Sequence, residues 1–169
     1  MGVTATLVLG RDGSTSFEGS SGAISTTDDR LQFLARRRGV NCILVGGESA
    51  RQEPYTTSPV ALVIVSRSRP KILDKNPLAH WWDLPPAQSL KKAINEFGSE
   101  ILLEGGANFL RTFLELGLVD VLELSVTDFT GGDGKISIEG LLNNFADVKE
   151  SKSGTTTFFH CTNPVNQRK

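Results

Sequence analysis

Ile101-Leu102-Leu103-Glu104-Gly105-Gly106-Ala107-Asn108 runs from an apolar stretch into a glycine pair, and helical spacing resumes at Phe109, Leu110, Phe113 and Leu114. That order describes a strand, a tight turn and the start of a helix. Glycines there leave the backbone amides open to a ligand, and a helix N-terminus offers unpaired N–H groups and a partial positive charge to a phosphate. Upstream, Asn41-Cys42-Ile43-Leu44-Val45 runs into Gly46-Gly47-Glu48-Ser49-Ala50-Arg51 and repeats the logic. One such turn can serve helix-sheet packing alone; two predict a long, phosphate-bearing ligand. Neither copy has the G-x-G-x-x-G fingerprint or the Lys-Ser/Thr ending of a P-loop, which disfavours a Rossmann dehydrogenase and a P-loop NTPase.

A further cationic turn follows the apolar run Val60 to Val65, where Ser66, Arg67 and Arg69 precede Pro70. In an open α/β sheet ligands bind at the ends of such strands, and a Ser-Arg pair could hold a 2′-phosphate and select NADPH over NADH. A soluble turn before Pro70 explains the same residues equally well.

Other chemistries find little support. The two histidines, His80 and His160, and the two cysteines, Cys42 and Cys161, show no metal-ligand spacing, no C-x-x-C and no nucleophile elbow. No metal site, disulfide framework or hydrolytic triad is expected. With 18 Lys plus Arg against 19 Asp plus Glu, the formal charge of -1 gives no basic field for nucleic acid. Met1-Gly2-Val3-Thr4 lacks a basic leader, and no apolar run reaches the length of a membrane span, so a cytoplasmic protein without membrane contact is expected. A redox enzyme suits this inventory, because a nicotinamide carries the hydride itself and the protein need only position it.

The elements that must position these residues follow from periodicity. Val3 to Leu9 alternates Thr with Val and Leu, a half-buried strand ending at the Arg11-Asp12-Gly13 turn. Ser25 to Asp29 caps a helix whose apolar face is Leu31, Phe33 and Leu34. Arg36-Arg37-Arg38-Gly39 closes it, read as a solvated capping cluster in preference to an anion site. Strands follow at Asn41 to Val45 and Val60 to Val65, with a short helical stretch near Ala50 between them. Lys71 to Pro85 is poorly periodic, and Trp81-Trp82 reads as packing rather than a pocket rim. A helix opened by Pro85-Pro86-Ala87 and running through Leu90, Ile94 and Phe97 to Gly98, the Gly105-Gly106 unit, a strand at Val119 to Val126 and a loop at Phe129 to Gly134 come next. Phe145 to Lys149 and Thr155 to Cys161 form a closing hairpin. The sum is a single α/β domain over residues 1–169, a mostly parallel sheet with an antiparallel edge.

Together the Arg-Asp-Gly turn, the serine-rich loop, Ile43-Leu44-Val45-Gly46-Gly47-Glu48-Ser49-Ala50-Arg51-Gln52-Glu53-Pro54, and Leu102-Leu103-Glu104-Gly105-Gly106-Ala107 with Gly117-Leu118-Val119-Asp120 form a specific combination. It resembles the reductase domain of the bifunctional riboflavin-biosynthesis deaminase/reductase, within the dihydrofolate reductase-like superfamily. The resemblance implies NADPH-dependent reduction of 5-amino-6-(5-phosphoribosylamino)uracil, with hydride delivered to the sugar C1′, and a homodimer. It places Gly46, Gly47, Ser49, Gly105, Gly106, Ala107 and Asn108 along the cofactor phosphates and Ser66-Arg67 at the 2′-phosphate. It puts Asp12 beside nicotinamide and substrate, and Glu104 against the substrate's sugar, as the two catalytic residues. Where the family turn reads Leu-Asp-Gly-Lys, this chain has Arg11-Asp12-Gly13-Ser14 and lacks the lysine. Two further readings stay open: a pteridine or dihydrofolate reductase using Asp29, and an NADPH-binding module without turnover.

Overall fold

Apolar residues on both faces of five strands require helices on both sides, and the computed structural model, which describes residues 2–166, shows that arrangement. Met1 and residues 167–169, counted in the expected single domain, lie outside the described residues. The element order is β1 (Val3–Gly10), α1 (Thr27–Arg38), β2 (Cys42–Gly46), α2 (Gly47–Gln52), β3 (Ala61–Val65), β4 (Ala79–Trp82), α3 (Pro86–Phe97), β5 (Ile101–Glu104), α4 (Ala107–Glu115), β6 (Val121–Thr127), α5 (Ile138–Leu142), β7 (Phe145–Ser153) and β8 (Thr156–Pro164). The strands form one sheet in the order β4-β3-β2-β5-β1-β6-β8-β7. β4 through β6 are parallel, while β8 pairs antiparallel with both β6 and β7. The expected mostly parallel sheet with a C-terminal antiparallel hairpin is therefore present.

Alternation along the strands divides the core. Cys42, Leu44, Ile101 and Leu103 face α3 and α4 and join Leu90, Ala93, Leu110 and Phe113 in the larger cluster. Ile43, Val45, Leu62, Ile64 and Leu102 face the other way and pack with Ala50 and Tyr55. Phe113 and Leu110 are essentially inaccessible, and burial of each such side chain contributes about 1.5–3 kcal/mol.

Local signals account for the helix ends. Thr26 caps α1 by accepting from the Asp29 amide, Asp28 and Asp29 fill the first turn, and three arginines fill the last. α3 opens with proline at its first position and stops at Gly98.

Four expectations need correction. The poorly periodic middle segment holds a 3-10 turn at Lys71–Asp74 and the edge strand β4, too short for its alternation to register. α5 forms beyond the expected loop, in a stretch to which no element was assigned; it is one turn of helix capped by the Ser137 hydroxyl. Both hairpin strands are longer than expected, since cross-strand pairing sustains the polar stretch Glu150 to Ser153. Leu31, assigned to the apolar face of α1, is 63% exposed because that side of the helix borders a cleft. The tryptophans do pack: Trp82 stacks on Phe97, and the Trp81 indole donates to the Ser66 carbonyl.

Candidate functional site

The sheet face carrying the smaller apolar cluster is only partly covered. α1 stands off from the strand ends, and a cleft of about 990 Å³ opens between it, the ends of β2 and β5, and the loop after β6. Register decides what points into it. Glu104 ends β5 opposite Val45 and shares the face of Leu102, so the strand delivers a carboxylate to the cleft floor.

That carboxylate is buried and held from two sides. The Tyr55 hydroxyl donates to Oε2 at 2.9 Å, and Arg37 Nε lies 2.9 Å from Oε1. The guanidinium is sandwiched between the rings of Phe33 and Tyr55. Burial pushes the Glu104 carboxyl above its usual range, with Arg37, Tyr55 and Arg30 opposing. Burial, then the Glu104 charge, push the Tyr55 phenol far up, so it stays protonated and donates. Arg37 Nε and Glu104 Oε1 are spent on each other, Arg37 Nη2 has no hydrogen-bond partner among the described residues, and both residues line the cleft. A ligand with hydroxyl and carbonyl groups satisfies such a floor.

Here the expected solvated arginine cluster is corrected residue by residue. Arg38 is exposed, but Arg36 donates to Thr6 and pairs with Glu123 at 3.7 Å, while Arg37 turns under the helix to Glu104. Successive helix positions point about 100° apart, so a run of three cannot share one environment.

The glycine turns border the same floor. Gly105 has φ of +129°, which side chains rarely adopt, and Gly106 begins α4 with no side-chain cap. Its amide donates to Ser49 Oγ at 2.9 Å, tying the two turns together. A Cβ built on Gly106 would meet nothing nearer than that hydroxyl, at 3.9 Å, so a ligand can come close to the backbone. Gly46, Ser49, Gly105, Gly106, Ala107 and Asn108 line the cleft together. An open glycine turn at a helix N-terminus, beside a wide cleft, fits a phosphate-bearing cofactor. Gly47 is not on that wall; it packs against Ser66, whose hydroxyl donates to the Ser68 carbonyl. Arg67 is exposed at the end of β3, beyond the lining.

Asp12 also stands behind the wall. Its Oδ1 accepts from the amide and hydroxyl of Ser14, and its Oδ2 accepts from the Gly131 amide at 2.8 Å and faces Lys135 Nζ at 3.3 Å. The Gly131 amide and the Ser14 hydroxyl hold its carboxyl well below the usual carboxylate range. The carboxylate thereby fastens the loop after β6 to the turn after β1. Lys135, which reaches the cleft from that loop, supplies a cation near the position where the sequence lacks one. Opposite, Glu53 accepts from the amide and hydroxyl of Ser21 at 2.9 and 2.7 Å and anchors the serine-rich loop. Asp29, expected as first-turn charge, is buried on the cleft wall and takes the Ser25 hydroxyl.

Arg37, Tyr55, Glu53 and Lys135 were not among the sequence-derived site residues. One signal was available for Tyr55, the only tyrosine in the chain, next to the Glu53-Pro54 step.

Residues 2–158 match the family described as the RibD C-terminal domain. Among curated proteins none matches the sequence significantly. The fold resembles a pyrimidine reductase-like protein from Corynebacterium diphtheriae at 15% identity and a TM-score of 0.67, covering 98% of this chain and 92% of that one. It also resembles the riboflavin biosynthesis reductase of Saccharomyces cerevisiae at 15% identity and a TM-score of 0.69, covering 95% and 88%. A diaminohydroxyphosphoribosylaminopyrimidine deaminase/5-amino-6-(5-phosphoribosylamino)uracil reductase from Thermotoga maritima gives a TM-score of 0.72 at 15% identity. This chain covers 56% of that longer protein, against 95% of its own length.

Proposed function

Because this chain belongs to the RibD C-terminal domain family, whose members are reductases, we propose that it catalyses NADPH-dependent reduction of 5-amino-6-(5-phosphoribosylamino)uracil to the ribitylamino product. The buried Glu104 carboxylate, framed by Arg37 and Tyr55 and adjoining the Gly105-Gly106 turn, carries the reading. A carboxylate at the bottom of a polar cleft is an acceptor for sugar hydroxyls, and it lies one residue from a turn suited to phosphate.

The proposed roles are these. The open Gly105-Gly106 turn and the start of α4 hold cofactor phosphate, with Ala107 and Asn108 in the first turn. Gly46 and Ser49 form the neighbouring wall, Gly47 packs behind it against Ser66, and Ser66 with Arg67 is the proposed 2′-phosphate contact at the end of β3. When bound, the nicotinamide supplies the hydride. Glu104 orients the sugar hydroxyls, Arg37 holds that carboxylate in place, and Asp12 fixes the loop that closes one side. Assembly as a homodimer belongs to the same proposal and is read by analytical ultracentrifugation.

The test is NADPH oxidation with 5-amino-6-(5-phosphoribosylamino)uracil. Turnover supports the reading, and cofactor binding without turnover leaves a nucleotide-binding module. Reduction of a pteridine is a second reading, resting on Asp29, which is buried and lines the cleft. Dihydrofolate as parallel substrate separates the two.

A further inference from the structure

Glu104 reaches the cleft on a short strand, and nothing in β5 itself fixes the rotation of its carboxyl group. Two side chains do. Arg37 approaches Oε1 from α1, and Tyr55 donates to Oε2 from the segment following α2. We propose that Tyr55 is a positioning residue for Glu104, holding its carboxylate in one orientation as the acceptor for the substrate's sugar hydroxyl. This rests on the reductase reading above.

Tyr55 is itself anchored on three sides. Its ring packs with Ile43, Val45, Leu62 and Leu102. The buried Asn76 donates to its carbonyl at 3.0 Å, and its own amide donates to the Glu53 carbonyl at 3.0 Å. The hydroxyl is thus presented by a fixed backbone, and among the described residues its single partner is Glu104. A carboxylate has about four acceptor positions. Tyr55 takes one on Oε2 and Arg37 stands against Oε1, so these two side chains fix which of the remaining acceptor positions faces the cleft.

The charged and titratable groups facing Glu104 are Arg37 and Arg30 on α1 and Tyr55; its strand neighbour on β2 is the apolar Val45. Burial favours the protonated carboxyl, and the arginines and the phenol oppose it. Loss of the phenolic donor therefore raises the carboxyl further and shrinks the ionised fraction that accepts hydroxyls.

Tyr55→Phe keeps the ring in its apolar cluster and removes only the O–H, so the variant folds. The expected result has three parts: unchanged NADPH affinity, kcat/KM for the ribosylaminopyrimidine lowered about tenfold, as for a lost hydrogen bond to a charged group, and an acid limb displaced to higher pH. The Glu104 carboxyl, followed by carbon NMR, titrates higher by the same displacement. An unchanged Glu104 titration overturns the proposal, and so does an acid limb that stays in place while the wild type turns over. A wild type that reduces no ribosylaminopyrimidine refutes the reductase reading instead, and the Glu104 titration then decides by itself whether Tyr55 governs this carboxylate.

Discussion

Replacing Arg37 by methionine removes the cation from the cleft floor while keeping much of the stem that packs on Phe33 and Tyr55. The Arg37 and Glu104 side chains are 10% and 2% exposed, so the pair is shielded from solvent. Stripping one partner from such a pair costs about 3–5 kcal/mol, because the other is left charged and desolvated. Glu104 has an escape, since its carboxyl is already raised by burial and takes a proton when the guanidinium is gone. The native carboxyl then titrates still further above its unfolded value of 4.5, and the native state binds a proton that the unfolded chain releases. Stability of the variant therefore falls as pH rises from the unfolded value through the native one, by about 1.4 kcal/mol for each unit separating them. Urea unfolding of both proteins near pH 5 and near pH 8 is the assay, with a loss of about 3–5 kcal/mol expected at the higher pH and a distinctly smaller one at the lower. At about 2–4 °C per kcal/mol for a chain of this size, the melting temperature near pH 8 drops by roughly 6–20 °C. A loss under about 1 kcal/mol, or one equal at both pH values, refutes the buried-pair account. Glu104→Gln alone and combined with Arg37→Met completes a cycle, and the coupling between the two positions isolates the pair.

Gly106→Val should leave the domain folded, because the backbone there has an ordinary φ of -70° and a Cβ finds room. It should weaken NADPH binding by about tenfold or more by blocking approach to the turn and the start of α4, and calorimetric titration with unchanged affinity would remove the phosphate from this turn. Arg67→Ala should narrow the preference for NADPH over NADH; an unaltered ratio of dissociation constants moves the 2′-phosphate contact elsewhere. Asp12→Asn should flatten the acid limb of the stability profile. The wild-type carboxyl titrates below its unfolded value of 3.8, so its contribution is present above that pH and is lost as pH falls through the native value. Superimposable acid unfolding curves would show that the loop clasp contributes nothing.

The amino-acid sequence by itself determined the features that depend on neighbours along the chain. Periodicity marked β1, β2, β3 and α3, the capping stretch Ser25 to Asp29 and the prolines before Ala87 marked helix starts, and the glycine pairs marked the turns that border the cleft. It also placed Glu104 and Gly105-Gly106 side by side, which a strand end entering a helix guarantees. Tertiary structure alone decided which distant groups meet. The strand order brings β5 between β1 and β2, and only then does Arg37 come under α1 to Glu104 and Tyr55 reach the same carboxylate. Lys135 joins Asp12 because the loop after β6 folds over the first turn; the Ile136 amide donates to the Gly13 carbonyl, and Gly13 has no room for a Cβ against Ile136. The physical reason is that burial and pairing depend on separation in space, whereas patterning reports only which face of an element is apolar. Arg36, Arg37 and Arg38 read alike along the chain, and the fold gives them a half-buried hydrogen bond, a buried ion pair and an exposed surface.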